Sequence, residues 1–129
     1  MQPLFTPVNF LAVGMGAALG AWLRWGLAAA FNGPGAWPWG TLAANLGGGY
    51  VIGVLLGLFA GHADWPLWLR LGCITGFLGA LTTFSTFSAE VVAMLERGAI
   101  GSALAYAGLS LAACLCLTAL GLLTVRWFG

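Results

Sequence analysis

Residues 72–88 read GCITGFLGALTTFSTFS and end in a cluster of five hydroxyls, on Thr82, Thr83, Ser85, Thr86 and Ser88, inside an apolar segment. Phe84 and Phe87 are interleaved with them, three apart and so on one face of a helix. An aromatic ring has a positive edge and a hydroxyl donates one hydrogen bond. Together they describe a narrow path on which a small anion exchanges water for several modest donors, with no fixed positive charge between Thr82 and Ser88. Packing is the ordinary use of two phenylalanines at this spacing, and the surrounding hydroxyls are what change that reading. Asn45, within NLGGGY, adds a carboxamide that both donates and accepts, with an interhelical contact as its alternative use. Tyr106, Ser110, Cys114 and Thr118 recur every four residues as a mostly polar stripe. Back-bonding of such hydroxyls to their own helix is the alternative there. Enzymatic chemistry is not expected: GxxxxGK[ST] and HExxH are absent, no segment pairs two carboxylates, and His62 lies in a loop.

The elements that must position these groups are membrane helices. The chain has 129 residues, 61% hydrophobic and 5% charged, with a mean hydropathy of +1.00. That composition excludes a soluble domain of this size. Four apolar segments are expected, over residues 9–31, 41–60, 67–95 and 101–128, in one domain covering 1–129 with no linker and no soluble module. The first reads as a retained span and not as a signal peptide, because it lacks a basic lead and a cleavage site. The third would measure roughly 43 Å as one helix, against a hydrocarbon core of roughly 30 Å. It must tilt, kink or break. Gly72, Gly76 and Gly79 place the break just before the hydroxyl cluster, where Ser and Thr can satisfy the freed backbone groups. Gly16 and Gly20 in the first span, and Gly49, Gly53, Gly57 and Gly61 in the second, predict close helix contacts.

The charges are four arginines and three acidic residues, for a net charge of +1, so no basic patch for nucleic acid exists. Arg70 and Arg126 fall on one side of a four-span chain and Arg24 and Arg97 on the other. Such balance is compatible with insertion in both orientations and with an antiparallel homodimer; one orientation set by a single arginine is the alternative. Arg24 is expected to snorkel toward the first loop, or to raise the anion concentration at a pore mouth. Glu90 lies within the third segment, and its expected partner is an arginine of a second chain. His62, Asp64 and Glu96 are assigned to solvent. Cys73, Cys114 and Cys116 read as small buried hydrophobes with neither disulfide nor metal-ligand spacing.

NLGGGYVIG in the second span, and GFLGALTTFSTFS followed by Glu90 in the third, resemble the Fluc (CrcB) family of bacterial fluoride channels over nearly the whole chain. The resemblance implies an all-α integral membrane protein of the plasma (inner) membrane, with a broken third helix. It implies a dual-topology antiparallel homodimer with two fluoride pathways for passive export of cytoplasmic fluoride. By residue, it implies a pore asparagine at Asn45, pore phenylalanines at Phe84 and Phe87, a track of Tyr106, Ser110 and Thr118, and a vestibule arginine at Arg24. It also implies a structural sodium ion at the dimer axis, held by the main-chain carbonyls of Gly79 and Thr82. Ala80 stands where many members have a second glycine, and Cys114 where a serine is often found.

Two other readings compete. A small multidrug antiporter needs an acidic residue deep in its chamber, typically on the first span, and residues 9–31 contain none. A structural subunit would account for the glycines and leave the hydroxyl and phenylalanine run unexplained.

Overall fold

The computed structural model describes residues 3–129 and is all-helical. α1 spans Pro7–Phe31, with Pro7 at its first turn and the Thr6 hydroxyl accepting from Asn9 N at 3.2 Å. α2 spans Trp39–Gly61. The third crossing has two pieces. α3 winds as α-helix over Leu67–Arg70, as π-helix over Leu71–Leu78 and as α-helix again over Gly79–Leu81; α4 then spans Phe84–Glu96. α5 spans Ile100–Phe128. The four crossings are long and apolar enough for a bilayer, and the protein is a multi-pass membrane protein.

The overlong third segment resolves its length in two ways. Over 71–78 the winding loosens, and Gly79 N–H reaches back to Ile74 O, the five-residue bond of a π turn. At Thr82 and Thr83 the helix stops altogether, both residues being extended (φ −85°, ψ 149°; φ −150°, ψ 125°). The break therefore falls within the hydroxyl cluster and not at the glycines before it. Those glycines have a different task. A Cβ at Gly76 would run into the Val13 backbone of α1, and one at Gly20 would run into Phe77 O. The loosened winding and α1 are thus in backbone contact, which only missing side chains permit.

α2 and α5 meet the same way. Gly49, Gly53 and Gly57 face Cys114, Thr118 and Val125, while Gly121 of α5 faces Tyr50 O. Gly61 has open space around it, so the strip in α2 is used for three of its four positions. α4 ends in a Schellman motif: Gly98, at φ 76°, donates to Leu95 O at 2.9 Å and Ala99 to Met94 O at 2.9 Å.

Two small cores flank the break. Leu42, Met94, Ala103 and Tyr106 form one, and Ala44, Leu78 and Leu81 the other. Cys116 is exposed on α5 and does not join a core, because its position points away from the bundle; Cys73 and Cys114 are half-buried, and all three are free. The Arg70 head lies over the Phe59 ring at 5.2 Å.

Gly53→Val should separate α2 from α5, because its Cβ would overlap Thr118 O. The expected loss is about 1–3 kcal/mol, the usual cost of overpacking. Gly61→Val should be silent. Thermal unfolding of both variants in detergent decides between them, and equal midpoints would refute the assigned interface.

Candidate functional site

An interrupted helix leaves peptide groups without partners, and in a bilayer each must find one inside the protein. Asn45 of α2 supplies two of them. Its Oδ1 accepts from Thr83 N at 2.7 Å, and its Nδ2 donates to Thr83 O at 3.0 Å. One carboxamide therefore replaces a helix neighbour on both sides of the same residue. The Thr83 side chain caps α4, its Oγ1 accepting from Thr86 N at 3.2 Å. Thr82 Oγ1 turns back to Leu78 O at 2.8 Å. Ser85 Oγ lies 3.3 Å from Thr83 Oγ1, whereas Thr86 and Ser88 are half-buried on α4.

These bonds leave carbonyls around the break without their helical donors, those of Gly79 and Thr82 among them. The helical donor for Gly79 O would be Thr83 N–H, which goes to Asn45, and that for Thr82 O would be Thr86 N–H, which goes to Thr83 Oγ1. Gly79 and Thr82 are thus left with carbonyl oxygens whose helical donors are diverted. Arg24 is also here. Its Nε donates to Ala80 O at 2.9 Å, so its guanidinium turns inward to the end of α3 and does not snorkel to the first loop. A carbonyl at an interrupted helix end attracts a cation more strongly than the loop does.

Beside the break lies an open groove of about 400 Å³, lined by Asn45, Gly79, Thr83, Phe84, Phe87 and Ser110 among others. Phe84 is 79% exposed at its rim. Its ring centroid is 5.6 Å from that of Phe87, and Phe87 is 5.4 Å from Tyr106. Tyr106 is fully buried, and Trp37 packs edge-on against it at 5.6 Å. Ser110 Oγ is buried and has no hydrogen-bond partner among the described residues. A buried hydroxyl without a partner is costly in an apolar surround. The polar stripe on α5 divides at this point. Cys114 Sγ lies 3.3 Å from Asn45 O and Thr118 Oγ1 donates to Gly49 O at 2.9 Å, so those two join α5 to α2 and do not back-bond along their own helix.

Glu90 is held from its own chain. Thr41 Oγ1 donates to Oε1 at 2.6 Å and Tyr106 OH donates to Oε2 at 2.7 Å. Two hydroxyls of its own chain meet its carboxyl oxygens. Thr41 is a member of the site that its residue type alone does not reveal; its spacing of four from Asn45, which puts both on one face of α2, is the signal that points to it. Among the described residues no three His, Cys, Asp or Glu side chains gather to hold a metal.

The family described as CrcB-like protein, Camphor Resistance (CrcB), matches residues 11–122. A protein of Bordetella bronchiseptica named fluoride-specific ion channel FluC is 66% identical over 122 residues, covering 95% of this chain and 94% of its own length. Its namesake in Bordetella avium is 65% identical over 126 residues, covering 98% and 99%. That of Cupriavidus taiwanensis is 58% identical over 121 residues, covering 93% and 96%. With its family match over most of the chain and relatives alike from end to end, this four-crossing protein with an interrupted third helix belongs to the CrcB (Fluc) family.

Proposed function

We propose that the protein is a fluoride channel, not an enzyme, and that it lets fluoride leave the bacterial cytoplasm passively across the inner membrane. The observation that carries this reading is the pair Phe84 and Phe87 beside the buried Ser110 hydroxyl, in a groove whose lining has no charged side chain, with the buried Tyr106 ring 5.4 Å behind Phe87. An anion gripped by a buried guanidinium would leave slowly, whereas conduction needs binding weak enough to release. Ring edges and hydroxyls replace hydration in small steps. Thr83, Ser85, Thr86 and Ser88 serve the region of the break, with Asn45 shaping it; Ser110 and Tyr106 continue the path, and Thr118 holds the wall behind it. Arg24 concentrates anions at the entrance. At Tyr106 the path meets Glu90, whose carboxylate acts as a tethered anion on the Tyr106 and Thr41 hydroxyls. An arriving fluoride takes over those donors and returns them as it leaves. The channel names of the relatives support the same reading.

The working unit in this reading is an antiparallel homodimer with two pores, in contact with membrane lipid. The open side of the groove and the exposure of Phe84 support it, since one chain leaves the path uncovered. A sodium ion at the dimer interface fits the Gly79 and Thr82 carbonyls: both are neutral hard oxygens, freed of helical donors, and suited to a hard cation. Its contribution would be to tie together two chains that each offer only part of a coordination shell.

Fluoride efflux from liposomes, read with an electrode against a chloride control, tests the reading. Phe84→Ile and Phe87→Ile keep bulk and remove the ring quadrupole, and Asn45→Asp sets a negative charge beside the path. Each should slow flux by about tenfold or more, equivalent to about 1.4 kcal/mol of barrier. Intact variant dimers that conduct like the parent would put the path elsewhere.

Insertion in both orientations predicts that a single cysteine at Asp64, in a background lacking Cys73, Cys114 and Cys116, is labelled from each side in about half the molecules. Labelling from one side only would end the antiparallel dimer.

For the cation, the purified protein should retain one sodium for every two chains, and exhaustive exchange into a bulky organic cation should reduce both flux and dimer recovery. A sodium-free protein that is dimeric and conducts at full rate would remove the ion from the proposal.

A further inference from the structure

Asn32 ends α1, its N–H donating to Ala28 O at 2.9 Å, and its side chain crosses to the start of α2. There its Oδ1 accepts from Gly40 N at 2.8 Å and from Thr41 N at 3.3 Å, while its Nδ2 lies 3.1 Å from Thr41 Oγ1. The two backbone donors decide which way the amide faces, since only its oxygen can accept them. Its nitrogen is then the atom toward Thr41, and that nitrogen can only donate. Thr41 Oγ1 must accept from it, which leaves the single hydroxyl proton for Glu90 Oε1, 2.6 Å away. Thr41 is 2% exposed, so water has little access to turn the hydroxyl around.

We propose that Asn32 is a positioning residue that sets the direction of the Thr41 hydroxyl, so that Thr41 presents a proton and not a lone pair to the anion at the Glu90 site. The inference rests on the channel reading above. A hydroxyl turned the other way would aim electron density at either the carboxylate or a passing anion. Tyr106 would then be the remaining hydroxyl donor to Glu90. Because Gly40 lies against the Leu27 backbone, with no room for a Cβ, the ends of α1 and α2 are held close and the amide has a fixed reach.

A purely structural role for Asn32 makes a different forecast. Asp serves backbone donors at a helix start as well as Asn does. Asn32→Asp therefore keeps the acceptor for Gly40 and Thr41 N–H, but offers Thr41 an oxygen in place of the N–H, drawing the hydroxyl proton away from Glu90. Efflux is measured from liposomes holding the parent, N32D, T41V and the N32D/T41V double variant, each checked for dimer recovery and thermal midpoint. N32D should assemble normally and conduct about tenfold more slowly. In the T41V background, where there is no hydroxyl to turn, the same change should cost less than about twofold, the mark of two residues acting through one interaction. Asn32→Ala, which leaves Thr41 free to turn either way, enters the same cycle and should lose about threefold in the parent and nothing in T41V; it carries the test should N32D fail to assemble. Full conduction by N32D overturns the inference, and so does an equal loss in both backgrounds, which would mean that the new charge acts directly on the anion. A parent that carries no fluoride overturns the channel reading and this inference with it, whereas a conducting parent with an unaffected N32D overturns this inference alone.

Discussion

A peptide group left unpaired in hydrocarbon costs several kcal/mol, and the interruption at Thr82 and Thr83 would leave several such groups stranded. The carboxamide of Asn45 is what makes the interruption tolerable, because it meets Thr83 through both N–H and C=O. Much else follows from that pairing. α2 must lie close enough to reach across, and Gly48 permits it by standing against the Thr82 methyl. α4 can begin with its own cap, and Phe87 can leave the line of α3 to stand beside Tyr106, with Phe84 beside Phe87.

The bundle is tight where two backbones meet and open where the break lies. Glycine contacts between α1 and α3, and between α2 and α5, leave little space at those seams. The groove by contrast has small residues behind it and aromatic rings at its edge. Rigid seams on both sides hold the rings and hydroxyls at fixed separations, which is what a path of individually weak interactions requires.

Much of this was legible in the chain. The length of the third segment demanded a break, and the glycines before TTFSTF put it a few residues too early. Four-residue glycine spacing anticipated a close backbone contact on α2 without naming α5 as the partner, and it holds except at Gly61, which has open space around it. The π winding over 71–78 was not legible, because hydrophobic pattern does not distinguish a five-residue bond from a four-residue one. Partners distant in sequence were also hidden. Arg24 and Ala80 are 56 residues apart and Thr41 and Glu90 are 49, and no local spacing reports such pairs. Arg24 was read by its own chemistry, as a charge seeking water, when the free carbonyl that receives it exists only once the third helix has broken. The CrcB resemblance carried the family correctly because it rested on that same hydroxyl and glycine run.

The loosened coil over Leu71–Leu78 also bears on how the gene can change. A π turn spends one more residue on each hydrogen-bonded loop than an α turn does. Loss of a codon within that stretch can be taken up by rewinding toward an ordinary helix, with the flanking faces kept near their present directions. A codon lost from the middle of α2 has no such slack, and would rotate everything beyond it by about a quarter-turn or more, carrying the glycines away from α5. Among descendants of this sequence, small length changes in the crossings should therefore collect in the π-wound stretch before they are found in α2.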